Sequence, residues 1–127
     1  MTHQSRIGCL VVDCKTDNLP AMADFWSATL GCEAQPDPAY PDYILLKTPK
    51  GEPKVLLQAV DHDARVHLDI ETDDKDAERD RLVGLGAKEI GPCKGWIVME
   101  APSGHRFCIV GPQRPDFKEN ATKWESN

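Results

Sequence analysis

Arg65-Val66-His67-Leu68-Asp69-Ile70-Glu71-Thr72 alternates apolar and polar residues along its length, the period-two signature of a half-buried strand. Val66, Leu68 and Ile70 fall on one face, and His67, Asp69 and Glu71 on the other. A strand whose polar face offers an imidazole and two carboxylates is either plain solvent-facing surface or the wall of a polar cup. The neighbouring segments bear on that choice.

Downstream, Asp73-Asp74 can cap a helix from about Lys75 to Leu85, which closes on Gly86. Short strands are expected over 87–91, 96–100 and 105–110, with turns at Gly91–Gly95 and Ala101-Pro102-Ser103-Gly104. Upstream the same order occurs once already. Arg6 to Cys14 reads as a strand, and Asp17 or Asn18 can cap a helix with Pro20 in its first turn. Leu19, Met22, Trp26 and Leu30 form the apolar stripe of that helix, which closes on Gly31. Strands at 43–48 and 54–60 follow a proline-rich loop over 35–42. The chain therefore reads as one α+β domain, 1–127, holding two β-α-β-β-β modules at about 6–60 and 64–111. The tail from 112 to 127 is mostly polar and is expected to fray, docked loosely by Phe117 and Trp124.

Composition removes several classes of function. A net charge of −6 argues against nucleic acid or an anionic membrane as partner, since both reward clustered Lys and Arg. No apolar run approaches the eighteen or so residues of a membrane span, and no signal-peptide core follows the polar N-terminus. Five scattered cysteines without a C-x-x-C pair read as reduced thiols in a cytoplasmic protein. There is no Gly-rich phosphate loop, nucleophile elbow or H-E-x-x-H.

The duplicated order resembles the glyoxalase/bleomycin-resistance/dioxygenase superfamily, the vicinal oxygen chelate proteins, and within it the small glyoxalase-like subgroup. The resemblance spans about residues 5–111. It is carried by Asp24-Phe25-Trp26 through Leu30-Gly31, by Val66-His67-Leu68-Asp69 with Leu85-Gly86-Ala87, and by the Ala101-Pro102-Ser103-Gly104-His105-Arg106-Phe107-Cys108 hairpin. It implies a curved mixed sheet around a concave cup, with helices on the convex face.

Strand periodicity separately assigns Leu10, Val12, Leu57, Leu68, Ile70, Ile97, Met99, Phe107 and Ile109 to the helix-packed face. The other face collects Cys9, Val11, Asp13, Leu56, Gln58, His67, Asp69, Glu71, Trp96, Val98, Glu100, Arg106 and Cys108. That mixture of Trp, Val, Leu and Cys among charges fits a ligand cup better than a solvated surface.

In metal-dependent relatives, as the resemblance implies, four ligands occupy positions that map here onto Cys9, Gln58, His67 and Cys108. His67 matches that pattern. Gln58 is a weak oxygen donor, and the two thiols suit zinc or copper better than iron, manganese or magnesium. The bland reading makes the cysteines small buried apolar residues and His67 a hydrogen-bonded pocket histidine.

Substrate-binding candidates are His67, Asp69, Trp96, Arg106 and Gln58. Trp96 either stacks on an aromatic ligand or closes the rim, and Arg106 pairs either a ligand carboxylate or Glu71 or Glu100. His3, His62 and His105 read as surface residues.

Two functions stay open. One is a metal-free module that sequesters a small, partly aromatic molecule, as in the bleomycin-resistance branch. The other is a lyase, isomerase, epimerase or dioxygenase in which a divalent metal ion, held by His67, stabilises an enolate-like intermediate, with Glu71, Glu100 or Asp13 as candidate bases. A homodimer is expected, covering an apolar strip around Trp26, Tyr40 and Tyr43.

Overall fold

In a computed structural model, which describes residues 2–125, the chain contains nine strands and three helices. The first run is β1 (Thr2–Lys15), α1 (Leu19–Leu30), β2 (Ala34–Pro36), β3 (Tyr43–Leu46) and β4 (Lys54–Val60). The second is β5 (Arg65–Thr72), α2 (Lys75–Gly84), β6 (Lys88–Cys93), β7 (Trp96–Glu100) and β8 (Arg106–Val110). A short helix α3 (Phe117–Asn120) and strand β9 (Thr122–Glu125) follow. The β-α-β-β-β order thus occurs twice, and parallel and antiparallel ladders mix, giving an α+β fold. Contacts divide the chain into two compact units: residues 9–67, and the N-terminal eight residues together with everything from Leu68 onward.

In the 9–67 unit the strand order is β2-β3-β4-β1, with β1 and β4 parallel. Asn18 caps α1 by accepting from the Ala21 N–H at 3.3 Å. Gly31 ends it at φ 68°, a left-handed position that glycine takes without a Cβ penalty. The stripe Leu19, Met22, Ala23 and Trp26 packs on Cys14, Ile44, Leu46 and Leu57. Leu46 and Leu57 are fully buried, each worth roughly 1.5–3 kcal/mol of burial. With the even face of β1 given to α1, the register leaves Asp13 beside Gln58, and Gln58 beside Tyr43, on the face away from the helix.

In the second unit Asp74 caps α2 through the Ala77 N–H at 3.0 Å. Leu82 and Phe107 pack on Ala87, Ile97, Met99 and Ile109. The β7–β8 ladder places Ile97 opposite Ile109 and Met99 opposite Phe107 toward that core. Val98, Cys108, Glu100 and Arg106 fall on the alternate face.

Five expectations need correction. As far as Glu125 the tail is docked, not frayed: β9 pairs antiparallel with Thr2–Ser5, Phe117 is buried, and the Trp124 indole donates to Ser5 Oγ at 2.9 Å. The Arg81 guanidinium lies 3.8 Å from the centre of the Trp124 ring, a stacking that the tail's composition does not advertise. β1 begins at Thr2 because that partner strand extends it. His3 is buried, not superficial, with Nε2 2.9 Å from Glu78 Oε1.

Finally, the apolar face of β5 is not a sealed core face. Val66 is 58% exposed and Leu68 37%, while Glu71 on the polar face is wholly buried. Ala34–Pro36 also pairs as β2, running into the start of the expected loop.

Candidate functional site around Asp13 and His67

The site is built from a buried carboxylate. Asp13 lies on the helix-free face of β1, and its side chain is only 1% exposed. Its Oδ2 takes His67 Nδ1 at 3.0 Å and Arg65 Nε at 3.3 Å. His62 Nε2 stands at 3.9 Å, beyond hydrogen-bond range. A carboxylate can only accept, so the shared proton sits on His67 Nδ1, and Nε2 of the neutral ring carries the lone pair. Asp13 Oδ1 is buried without a partner among the described residues.

Two residues along β5 from His67 is Asp69, the register partner of Cys108 on parallel β8. One ligand atom from each of His67, Asp69 and Cys108 lies within 4.8 Å of the other two. The strand pleat alone leaves a residue and its second neighbour roughly 7 Å apart, so it is the side-chain conformations that close the gap. This trio differs from the four positions carried over from relatives. Asp69 enters, whereas Gln58 donates its amide to the Tyr43 hydroxyl at 3.1 Å. Cys9 is buried, with its thiol 3.6 Å from the Leu10 carbonyl.

The donor set is chemically coherent. Imidazole, carboxylate and thiolate suit a zinc-type ion with a coordination position left for water or ligand. They suit magnesium or manganese poorly.

Among the remaining candidates, Glu71 sits in a closed ion network. Its Oε1 accepts from Arg6 Nε at 2.5 Å, its Oε2 accepts from the Gln113 N–H at 2.8 Å, and Arg114 Nε lies 3.6 Å away. A Cβ at Gly8 would stand 3.0 Å from Glu71 Cβ and Oε2, so a side chain there would press on Glu71. Arg6 also donates to Asp116 at 2.8 Å. Burial alone would lower the Arg6 pKa, but its hydrogen bonds to Asp116 and Glu71 outweigh that and raise it. Glu100 accepts from Arg106 Nε at 3.1 Å across the β7–β8 ladder. Trp96 is half-buried, with the Lys94 ammonium 5.8 Å from its ring centre.

Sequence reading overlooked two groups. Arg65 shares the parity of His67 on β5 and so was legible as a polar-face residue. His62 had no signal, because it precedes the strand in an irregular link. His105 is exposed and bonds Ser103 Oγ at 2.7 Å, as a hairpin residue should.

The sequence model of the glyoxalase-like domain matches residues 9–110. The chain belongs to that family. No curated protein matches the sequence. Among solved structures, a hypothetical protein from Bacillus halodurans shares 10% identity at a TM-score of 0.58, covering 87% of this chain and 96% of that one. A protein titled NAD-dependent benzaldehyde dehydrogenase from Legionella pneumophila shares 16% at 0.59, with coverages of 82% and 99%.

The Streptomyces coelicolor methylmalonyl-CoA epimerase, solved with 2-nitronate-propionyl-CoA, shares 16% at 0.56, with coverages of 86% and 95%. At such identities the likeness establishes the fold alone. No described helix is long and apolar enough to cross a membrane.

Proposed function

We propose that this glyoxalase-like domain binds a small molecule on the sheet face opposite its helices, with His67 at the centre. The observation that carries the reading is the setting of His67. Its Nδ1 is fixed by Asp13 at 3.0 Å, and a ligand atom of its ring lies within 4.8 Å of those of Asp69 and Cys108. An imidazole held in one tautomer by a buried carboxylate is an oriented hydrogen-bonding or ligating group. Trp96, Arg106 and Gln58 are the further substrate-binding candidates.

The His67, Asp69 and Cys108 trio favours a second reading, a divalent-metal-dependent lyase, isomerase, epimerase or dioxygenase. These three side chains would hold the ion. When bound, the metal would polarise two neighbouring oxygens of a ligand and favour proton removal beside them. Asp13 would keep His67 oriented. Of the base candidates, Glu100 is part exposed, whereas Glu71 is already enclosed by Arg6 and Gln113.

Metal analysis of protein purified without chelator or affinity tag separates the two readings. Stoichiometric zinc or a similar ion, lost in His67→Ala, establishes the enzyme reading. A metal-free preparation, in which His67→Ala abolishes small-molecule binding, establishes the first. Retained binding in a folded His67→Ala protein refutes both. The reading also carries a cytoplasmic location, in keeping with five free cysteines. It carries a homodimer too, over the strip expected around Trp26, Tyr40 and Tyr43, of which Tyr40 is exposed while Trp26 packs against the core.

A further inference from the structure

Asp13 is an expensive way to fill its position. Removing a carboxylate from water costs several kcal/mol unless its lone pairs are well matched, yet Oδ1 has no partner among the described residues. Val11, two residues earlier on the same face of β1, shows that an apolar side chain is accommodated there at 2% exposure. Packing alone therefore gives no reason for an acid at 13. What the acid does is accept from basic side chains: Arg65 Nε at 3.3 Å and His67 Nδ1 at 3.0 Å, with His62 Nε2 at 3.9 Å.

The use of Nε matters. A guanidinium carries five N–H donors in a rigid plane. Anchoring the Nε side restrains the plane and leaves the two terminal nitrogens without a partner among the described residues. The Arg65 side chain is 51% exposed and that of His62 41%. His62 is itself oriented, its Nδ1 donating to the Asp63 carbonyl at 2.8 Å. The nearby Asp63 carboxylate is offset by Lys15 Nζ at 3.7 Å. In a chain of net charge −6, Arg65 is a half-exposed guanidinium held on a buried carboxylate.

We infer that Arg65, supported by Asp13 and flanked by His62, binds an oxyanion of the ligand, either a carboxylate or a phosphoryl group. The fork of terminal nitrogens matches both anions bidentately. The inference deepens the His67-centred reading and rests on it for the rest of the ligand. It gives the ligand class: a small organic acid or phosphorylated molecule whose anionic end lies at Arg65.

Calorimetric titration of the full chain with malonate, inorganic phosphate and the neutral malonamide tests this. Malonate or phosphate should saturate below about 10 mM, and malonamide should not. Arg65→Gln should weaken the anion by at least about tenfold, the loss expected for one charge-assisted pair. Arg79→Gln, which alters an exposed ion-pair cluster on α2, should leave the affinity unchanged, and circular dichroism checks that each variant is folded.

Saturation by malonate alone identifies a carboxylate, and by phosphate alone a phosphoryl group. No saturation by either anion, equal binding of malonamide, or unchanged affinity in Arg65→Gln overturns the inference. Loss of affinity in Arg65→Gln with none in His67→Ala keeps the inference and removes His67 as the centre.

Discussion

Two buried carboxylates, Asp13 and Glu71, sit on the polar faces of β1 and β5, and they are finished differently. Glu71 is wholly buried, and each of its oxygens has a donor: Arg6 on one, the Gln113 N–H on the other, with Arg114 close by. Its cationic partners are buried almost as fully, at 13% and 11% side-chain exposure. Asp13 is equally hidden, but one oxygen is unpartnered and two of its three basic neighbours are about half exposed. The first is a closed network that ties Arg6, Glu71, Arg114 and Asp116 together. The second is open toward solvent. Completeness of pairing separates a structural carboxylate from a site carboxylate more sharply than burial does.

Breaking the closed network should have the largest effect. Glu71→Ala removes the buried carboxylate between Arg6 and Arg114, leaving them Asp116 and the Ile7 carbonyl, and should cost about 3–5 kcal/mol, read by urea denaturation with the change at the midpoint checked against an unchanged slope. A loss below about 1 kcal/mol would erase the distinction between the two carboxylates.

A third buried acid sharpens the comparison through pH. Burial pushes the Glu78 pKa up, but hydrogen bonds from Arg81, His3 and Ser5 outweigh it, and the net direction is down from 4.5. A carboxyl whose folded pKa lies below its unfolded value contributes stability that is present above the unfolded pKa. That contribution is lost as pH falls through the folded pKa. Thermal unfolding scans should therefore show a drop in Tm beginning below about pH 4.5, and Glu78→Gln should flatten it. An identical acid limb in wild type and variant would show that Glu78 is not behind it.

The smallest effect is expected at the open site. Asp13→Asn keeps the shape, and two of the basic neighbours it releases already meet solvent. Its stability should stay within about 1 kcal/mol of wild type, while malonate or phosphate binding falls as Arg65 loses its anchor. A cost as large as that of Glu71→Ala would make Asp13 a second structural acid.

Much of this was readable from local pattern. Helix caps at Asn18 and Asp74, glycine at 31 and 86, and the repeated β-α-β-β-β order follow from short-range rules that act within a few residues. Strand parity correctly put Leu57, Ile97, Met99 and Ile109 toward helices, and Asp13, Gln58 and His67 away from them, because pleat geometry has period two regardless of context. Parity did not determine how deeply each face is covered. Leu68 and Val66 have the predicted parity yet remain 37% and 58% exposed, since coverage depends on what packs above the strand.

Long-range pairing was invisible for the same reason. Nothing near His3 announces Glu78, and nothing near Glu71 announces Arg6 or the Gln113 N–H. The docking of 122–125 on 2–5 joins two polar segments from opposite ends of the chain. His67 could be singled out from sequence because its strand carries a complete alternating pattern. Cys108 was set beside it only by the family resemblance and Asp13 was named only as a candidate base, because the hydrogen bond from His67 to Asp13 joins side chains of separate strands. Sequence alone determined the repeat, the caps and the faces. Tertiary structure alone decided which acids are closed, which is open, and where a ligand's charge can be met.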